Sequence, residues 1–211
     1  MKTRHKLLMV TPLATLLLAS SLIAGEWTVY KARPGSKVTI EGTSTIHDWA
    51  VETSLIGGTM ELGPGFPLDS SKSPKPGKVE AKAETILFTS SIKSGKKSMD
   101  EVMHETMDQR NHPKITYKLQ DLSLKETPKT GEPLKFDAVG VLSVSGVLKT
   151  NSMEVVMAPE DGGEKIVVKG VTNLKMTDFG MKPPAPSIGL GLIKTGDDVK
   201  VSFEWVTAKA E

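Results

Sequence analysis

From residue 36 onward the chain alternates apolar and polar positions with a period of two. The clearest run is Val199, Val201, Phe203 and Trp205, interleaved with Lys200, Ser202 and Glu204. Such a run is a strand with one face on a core and one in water. Ile166, Val168, Gly170, Thr172, Leu174 and Met176 repeat the pattern against Lys165, Lys169 and Lys175, and Ile115, Tyr117 and Leu119 repeat it again. Further strands are predicted at about 36–42, 47–56, 78–88, 134–145 and 146–157, giving about eight in all. Asp161-Gly162-Gly163 and Gly196-Asp197 read as hairpin turns. Gly63-Pro64-Gly65 through Pro74, Pro76 and Gly77 reads as a long irregular loop, and Pro183, Pro184 and Pro186 as a second, stiffer one.

One segment changes period. Ser98-Met99-Asp100-Glu101 has the form of a capping box, and Met99, Val102, Met103 and Met107 follow on one helical face until Pro113 stops the helix. The spacing predicts a short amphipathic helix over 98–110. Its methionine face should lie on something apolar, with His104 and Asp108 outside. Eight antiparallel strands with one helix predict an all-β fold, an eight-stranded antiparallel β-barrel. Closure removes exposed edges and leaves an interior that is either packed shut or holds one small ligand. An immunoglobulin-like sandwich is the alternative, but a helix between its strands would be unusual.

The first 24 residues stand apart. Lys2, Arg4 and Lys6 precede the apolar run Leu7 to Leu18, and the small residues Ala19, Ser20, Ser21, Ala24 and Gly25 follow. That order is a secretory signal peptide, with cleavage expected after Ala24 and Ser21 or Gly25 as neighbouring options. An uncleaved anchor over Leu7 to Ala24 is the competing reading. The expected organisation is residues 1–24 as leader and 25–211 as one domain. Without the three basic leader residues, 24 basic residues stand against 25 acidic ones, a net of −1. The basic balance of the whole chain therefore belongs to the leader, and no nucleic-acid surface is indicated. The chain has no cysteine. An exported protein of this kind lives on its core alone, without disulfides, thiol chemistry or Cys-based metal sites.

Four stretches in order resemble the YceI-like family of exported lipocalin-like barrels: Gly42-Thr43-Ser44-Thr45-Ile46-His47-Asp48-Trp49, Met99-Asp100 through His112-Pro113-Lys114-Ile115-Thr116-Tyr117, Gly140-Val141-Leu142-Ser143-Val144-Ser145-Gly146-Val147, and Asp178-Phe179-Gly180-Met181. Two features depart from the family pattern. Leu148-Lys149-Thr150-Asn151-Ser152-Met153 replaces a Thr-Lys/Arg-Pro-Val run, and the 63–78 loop looks like an insertion; both are expected to alter a barrel mouth. The resemblance implies a tunnel for a long isoprenoid tail, such as that of a polyprenyl phosphate or a quinone. Its wall would be drawn from Val38, Ile40, Val51, Phe88, Met99, Met103, Met107, Tyr117, Phe136, Phe179, Val201, Phe203 and Trp205. The implied partner is a long-chain amphiphilic lipid in the periplasm or outside the cell. No cofactor is called for, and a homodimer is compatible with the sequence.

Candidate catalytic chemistry is sparse. His47-Asp48 with Ser44 nearby suggests a base and its orienter, but adjacent strand residues point to opposite faces, which favours a structural hairpin role. His104, Asp108 and His112 fall at i, i+4 and i+8, with Glu101 and Glu105 close by. Two turns separate the outer pair, and a solvated helix face is the simpler reading than a metal site. There is no G-x-S-x-G, no H-E-x-x-H and no phosphate-cradling glycine loop. A non-catalytic lipid carrier is therefore the expectation. A closed-core barrel that binds another envelope protein through its Pro-rich loops is the alternative, and a lipid hydrolase ranks last.

Overall fold

Alternating sequences of this kind bury one face only by curling the sheet on itself, and this chain does so. The structure, a computed structural model, describes residues 25–185 and 193–211. Residues 1–24, read from sequence as a leader, and Pro186 lie outside the described residues. The strands are β1 (Thr28–Ala32), β2 (Lys37–Ser44), β3 (Trp49–Thr53), β4 (Gly57–Leu62), β5 (Gly77–Lys78), β6 (Ala81–Phe88), β7 (Lys114–Leu124), β8 (Leu134–Val144), β9 (Val147–Glu160), β10 (Lys165–Lys175) and β11 (Thr195–Lys209). The helix α1 spans Lys97–Thr106. All described strands belong to one antiparallel sheet. It runs β1-β4-β6-β7-β8-β9-β10-β11 and closes through β1 on β11, an eight-stranded barrel.

The first two staves of the barrel are each broken. β1 and β2 lie in succession along one edge of β11, paired at Ala32↔Thr207 and at Val38↔Phe203. Between them Gly35 takes φ 101°, and the buried Ser36 hydroxyl accepts from the Val206 N–H and donates to the Arg33 carbonyl. β3 and β4 form the second broken stave: β3 pairs with β2, and β4 pairs with β1 and β6. β1 and β4, with their short weak alternation, are strands that the periodicity reading did not predict. The predicted turn at Gly196-Asp197 is not a turn. Both residues lie inside β11, where the register shifts between Thr195 and Val199, and Asp197 accepts hydrogen bonds from the Thr177 N–H and hydroxyl.

The breaks make the two ends of the barrel different. At one end β4 pairs with β6 and the wall is continuous. There the 63–78 loop folds under the floor: Phe66 stacks on fully buried Phe136 with ring centroids 5.5 Å apart, and Leu68 joins the same apolar cluster. The loop thus closes the base rather than altering the mouth, contrary to the sequence expectation. At the other end β3 and β6 do not pair with each other. The edge of β3 is met instead by Lys93, through Glu52 N–H to Lys93 O at 2.8 Å and Lys93 N–H to Glu52 O at 2.9 Å. The segment 89–112, with α1, spans this gap.

The helix begins one residue earlier than expected, ends at Thr106, and is not held by the Ser98–Glu101 capping box. Its N-cap is Lys96, without a side-chain cap. Asp100 reaches back over the preceding turn instead, accepting from the Ser94 N–H and Ser94 hydroxyl at 2.7 Å each. These bonds hold the Asp100 carboxyl below the usual carboxylate range. A lowered carboxyl stabilises the fold at neutral pH, and that stabilisation is lost as pH falls through the lowered value. Asp100→Ala is therefore expected to cost about 1–3 kcal/mol at neutral pH, a deficit that shrinks in acid below about pH 4. Ser98→Ala should stay within about 0.5 kcal/mol. Urea denaturation of both variants at neutral and acid pH checks this.

Candidate functional site

The inward faces of the eight staves do not meet. They enclose a cavity of about 530 Å³, within the range of small-molecule sites. Its wall is almost wholly aliphatic, aromatic and thioether. Met60, Leu122, Val155 and Met153 belong to the larger apolar cluster that includes Phe136, Leu142 and Leu174 to the second cluster under the helix, and Leu87 touches both. Charged strand residues face outward and pair across strands, as in Lys118–Glu84 at 2.7 Å, Lys169–Glu204 at 2.9 Å and Lys37–Glu52 at 2.6 Å. Exposed pairs of this kind add little stability. Their placement keeps the two faces distinct, because a one-residue slip would bring every lysine inside.

Two inward rings lie flat against the wall where glycine makes room. A Cβ on Gly140 would sit 2.4 Å from the Tyr117 ring, and one on Gly170 would sit 2.6 Å from the Phe203 ring. Met99, Met103 and Met107 roof the open end, packed with Phe179, Val144, Ile92 and Ile115. The mouth is rimmed by Ser44, Ile46, His47, Lys96, Lys175 and Pro184, with Ile46 62 % exposed.

Of the residues nominated from sequence, the structure brings Val38, Ile40, Val51, Met99, Met103, Met107, Tyr117, Phe179, Val201, Phe203 and Trp205 onto this cavity. Two others lie elsewhere. Phe88 points out of the barrel, 48 % exposed, with the Lys114 ammonium 5.9 Å from its ring centroid. Its neighbour Leu87 takes the inward position, because Lys82 and Glu84 set the outward parity of β6. Phe136 faces inward but is sealed into the base against Phe66, below the cavity. The inward polar pair Asn151 and Thr172, hydrogen-bonded at 3.0 Å, was not nominated; its alternation with the apolar residues of β9 and β10 carries the signal.

His47 and Ser44 form a hairpin, as expected. The Ser44 hydroxyl accepts from the Ile46 and His47 N–H groups and donates to the His47 carbonyl. His104 is not outside: it is half-buried, its Nε2 3.1 Å from the Ile92 carbonyl. His112 instead lies 3.7 Å from Asp108. Among the described residues no group of three or more His, Asp or Glu side chains converges as a metal site. No helix among them is long and apolar enough to cross a membrane.

A closed eight-stranded barrel around one apolar lumen, roofed by a methionine-bearing helix at its open end, is the architecture of a lipocalin-like binding protein. The sequence matches the profile of the YceI-like domain over residues 33–207, and the chain belongs to that family. Solved structures share the fold. BcnA of Burkholderia cenocepacia superposes with a TM-score of 0.60 at 17 % identity, covering 81 % of this chain and 95 % of its own. A polyisoprenoid-binding domain from Saccharophagus degradans, implicated in plant cell wall breakdown, gives 0.64 at 12 % identity over 86 % and 98 %. A Campylobacter jejuni YceI protein gives 0.53 at 16 % over 76 % and 84 %. No curated protein matches the chain by sequence.

Proposed function

We propose that this protein is an exported, non-catalytic carrier or buffer for a long-chain isoprenoid-type lipid, a polyprenyl phosphate, a quinone or a similar amphiphile. The observation that carries this reading is the continuous apolar cavity, open at one end and walled by side chains with almost no charge. An interaction barrel would need a filled interior, and this one is open. The relative from Saccharophagus degradans, named for polyisoprenoid binding, supports the ligand class. The leader-like first 24 residues support export to the periplasm or beyond.

The energetics suit a tail. Each methylene moved from water into such a lumen gains about 0.8 kcal/mol, so about 15 of them gain on the order of 12 kcal/mol gross. Ordering of the chain and lost translational freedom reduce that sum. The polar end of the amphiphile stays at the mouth, among Ser44, His47 and Lys96.

The test is Met103→Lys. Met103 lies on the roof, where a long side chain can send its ammonium to water and leave the fold intact. The variant should fold and take up a polyprenyl or quinone ligand much more weakly than the parent in a fluorescence titration. Failure of both proteins to bind any long-chain amphiphile would sink the carrier reading.

A further inference from the structure

Asn151 and Thr172 interrupt the apolar wall of the lumen. The other inward positions around them are Met153 and Val155 on β9, and Val168 and Leu174 on β10. Both polar residues line the cavity and are half-buried, so their polar atoms are not packed away behind the wall. Asn151 also belongs to the stretch that departs from the YceI-like pattern, and stands where that pattern has Val.

The two residues meet where the wall parts. The β9–β10 ladder stops at Gly170↔Val155, although β9 starts at Val147 and β10 runs to Lys175. Beyond that point Asn151 Nδ2 reaches across and donates to Thr172 Oγ1 at 3.0 Å. Rings flank the pair: Tyr117 lies over Gly140, the register partner of Asn151, and Phe203 lies over Gly170, two residues along β10 from Thr172. One hydrogen bond does not satisfy an amide and a hydroxyl. Whichever way the amide is turned, the pair keeps at least one donor and one acceptor free. In an open lumen water serves them. Beside a hydrocarbon tail water is excluded, and these groups go unpaired at a cost in affinity.

Resting on the carrier reading, we propose that Asn151 and Thr172 form a polar subsite of the lumen, and that the ligand carries a hydroxyl on its chain that seats there. A hydroxyl donates and accepts through one heavy atom, which matches what the pair leaves free. A ketone or ether only accepts, and an unpaired charge at this depth is costly. Thr172 lies three residues along β10 from Lys175 at the rim, roughly 10 Å at the rise of a strand. The hydroxyl therefore belongs on the chain, well below a head group held at the mouth. The tail supplies affinity through burial, and the pair selects which tail.

The test compares octadecanoic acid with its hydroxy-octadecanoic isomers, the hydroxyl moved along the chain, by calorimetric titration of the protein. One isomer should bind about tenfold tighter than the unsubstituted acid, the effect of hydrogen bonds to groups otherwise left unpaired. Asn151→Val/Thr172→Val replaces the pair with two apolar residues suited to a strand. In that variant the order should reverse, the unsubstituted acid binding tighter than every isomer. If the double variant does not fold, Thr172→Val alone decides, and the preference should shrink towards unity. No preferred isomer on the parent, or the same preference on a folded variant, overturns the proposal and leaves the carrier reading standing. Failure of every acid to bind overturns both.

Discussion

Ala83→Trp should reduce uptake of a long-chain lipid by roughly a hundredfold while the protein stays folded. Ala83 sits on β6 opposite Met60, with exposed Lys82 and Glu84 on either side, and its methyl abuts the lumen. It is only half-buried although it faces inward, because the space in front of it is empty cavity. An indole there meets apolar neighbours and displaces tail rather than side chains. Excluding about four methylene groups at ~0.8 kcal/mol each removes about 3 kcal/mol, or about two orders of magnitude in Kd. Filling an apolar void should hold or raise the melting temperature, the converse of cavity creation. A calorimetric titration and a thermal melt on the same sample separate the two effects. Undiminished binding would contradict a lipid tail held in the lumen that Ala83 lines.

Phe136→Ala should cost about 3–5 kcal/mol, the largest stability loss among these predictions. Phe136 is fully buried, and its ring stacks on Phe66 at an interplanar angle of 28°. Phe66 belongs to the 63–78 loop, so the substitution removes both a core ring and the anchor of the loop that seals the base. The midpoint in urea should fall sharply. If the vacated space joins the lumen, the variant should also accept longer tails than the parent. A loss below about 1 kcal/mol would show that the loop is held to the base by other contacts.

Much of this fold is readable from alternation alone. The pattern Val199, Val201, Phe203, Trp205 fixes which side of β11 faces the lumen, and its register partners Val38, Ile40, Val168 and Thr172 follow on the same face. What fails is phase where the alternation lapses. Thr85-Ile86-Leu87-Phe88 offers no charged residue to set parity, and choosing the largest apolar side chain selects the wrong face. The upstream pair Lys82 and Glu84 carries the parity that four apolar or neutral positions hide. Depth is equally invisible to periodicity. Phe136 and Phe203 both point inward, and only the fold of the 63–78 loop makes one a floor and the other a wall. The capping box fails through local competition. Ser98 fits the motif, but Ser94 lies closer to the turn that enters the helix, and Asp100 bonds to it. That Tyr117 Oη and Trp205 Nε1 find no hydrogen-bond partner among the described residues is a property of the closed barrel, since no local pattern says which neighbours a buried hydroxyl or indole will lack.

The central claim is that the lumen holds a lipid tail, and its most direct test is the mass of what the protein carries from its own host. Parent protein and Ala83→Trp, purified without detergent, are compared by native mass spectrometry and by extraction of bound lipid. The account predicts a near-stoichiometric adduct on the parent, a long-chain isoprenoid-type amphiphile, and little or none on Ala83→Trp. A parent that arrives empty and takes up no added long-chain amphiphile, or an adduct of equal amount on both proteins, would contradict it.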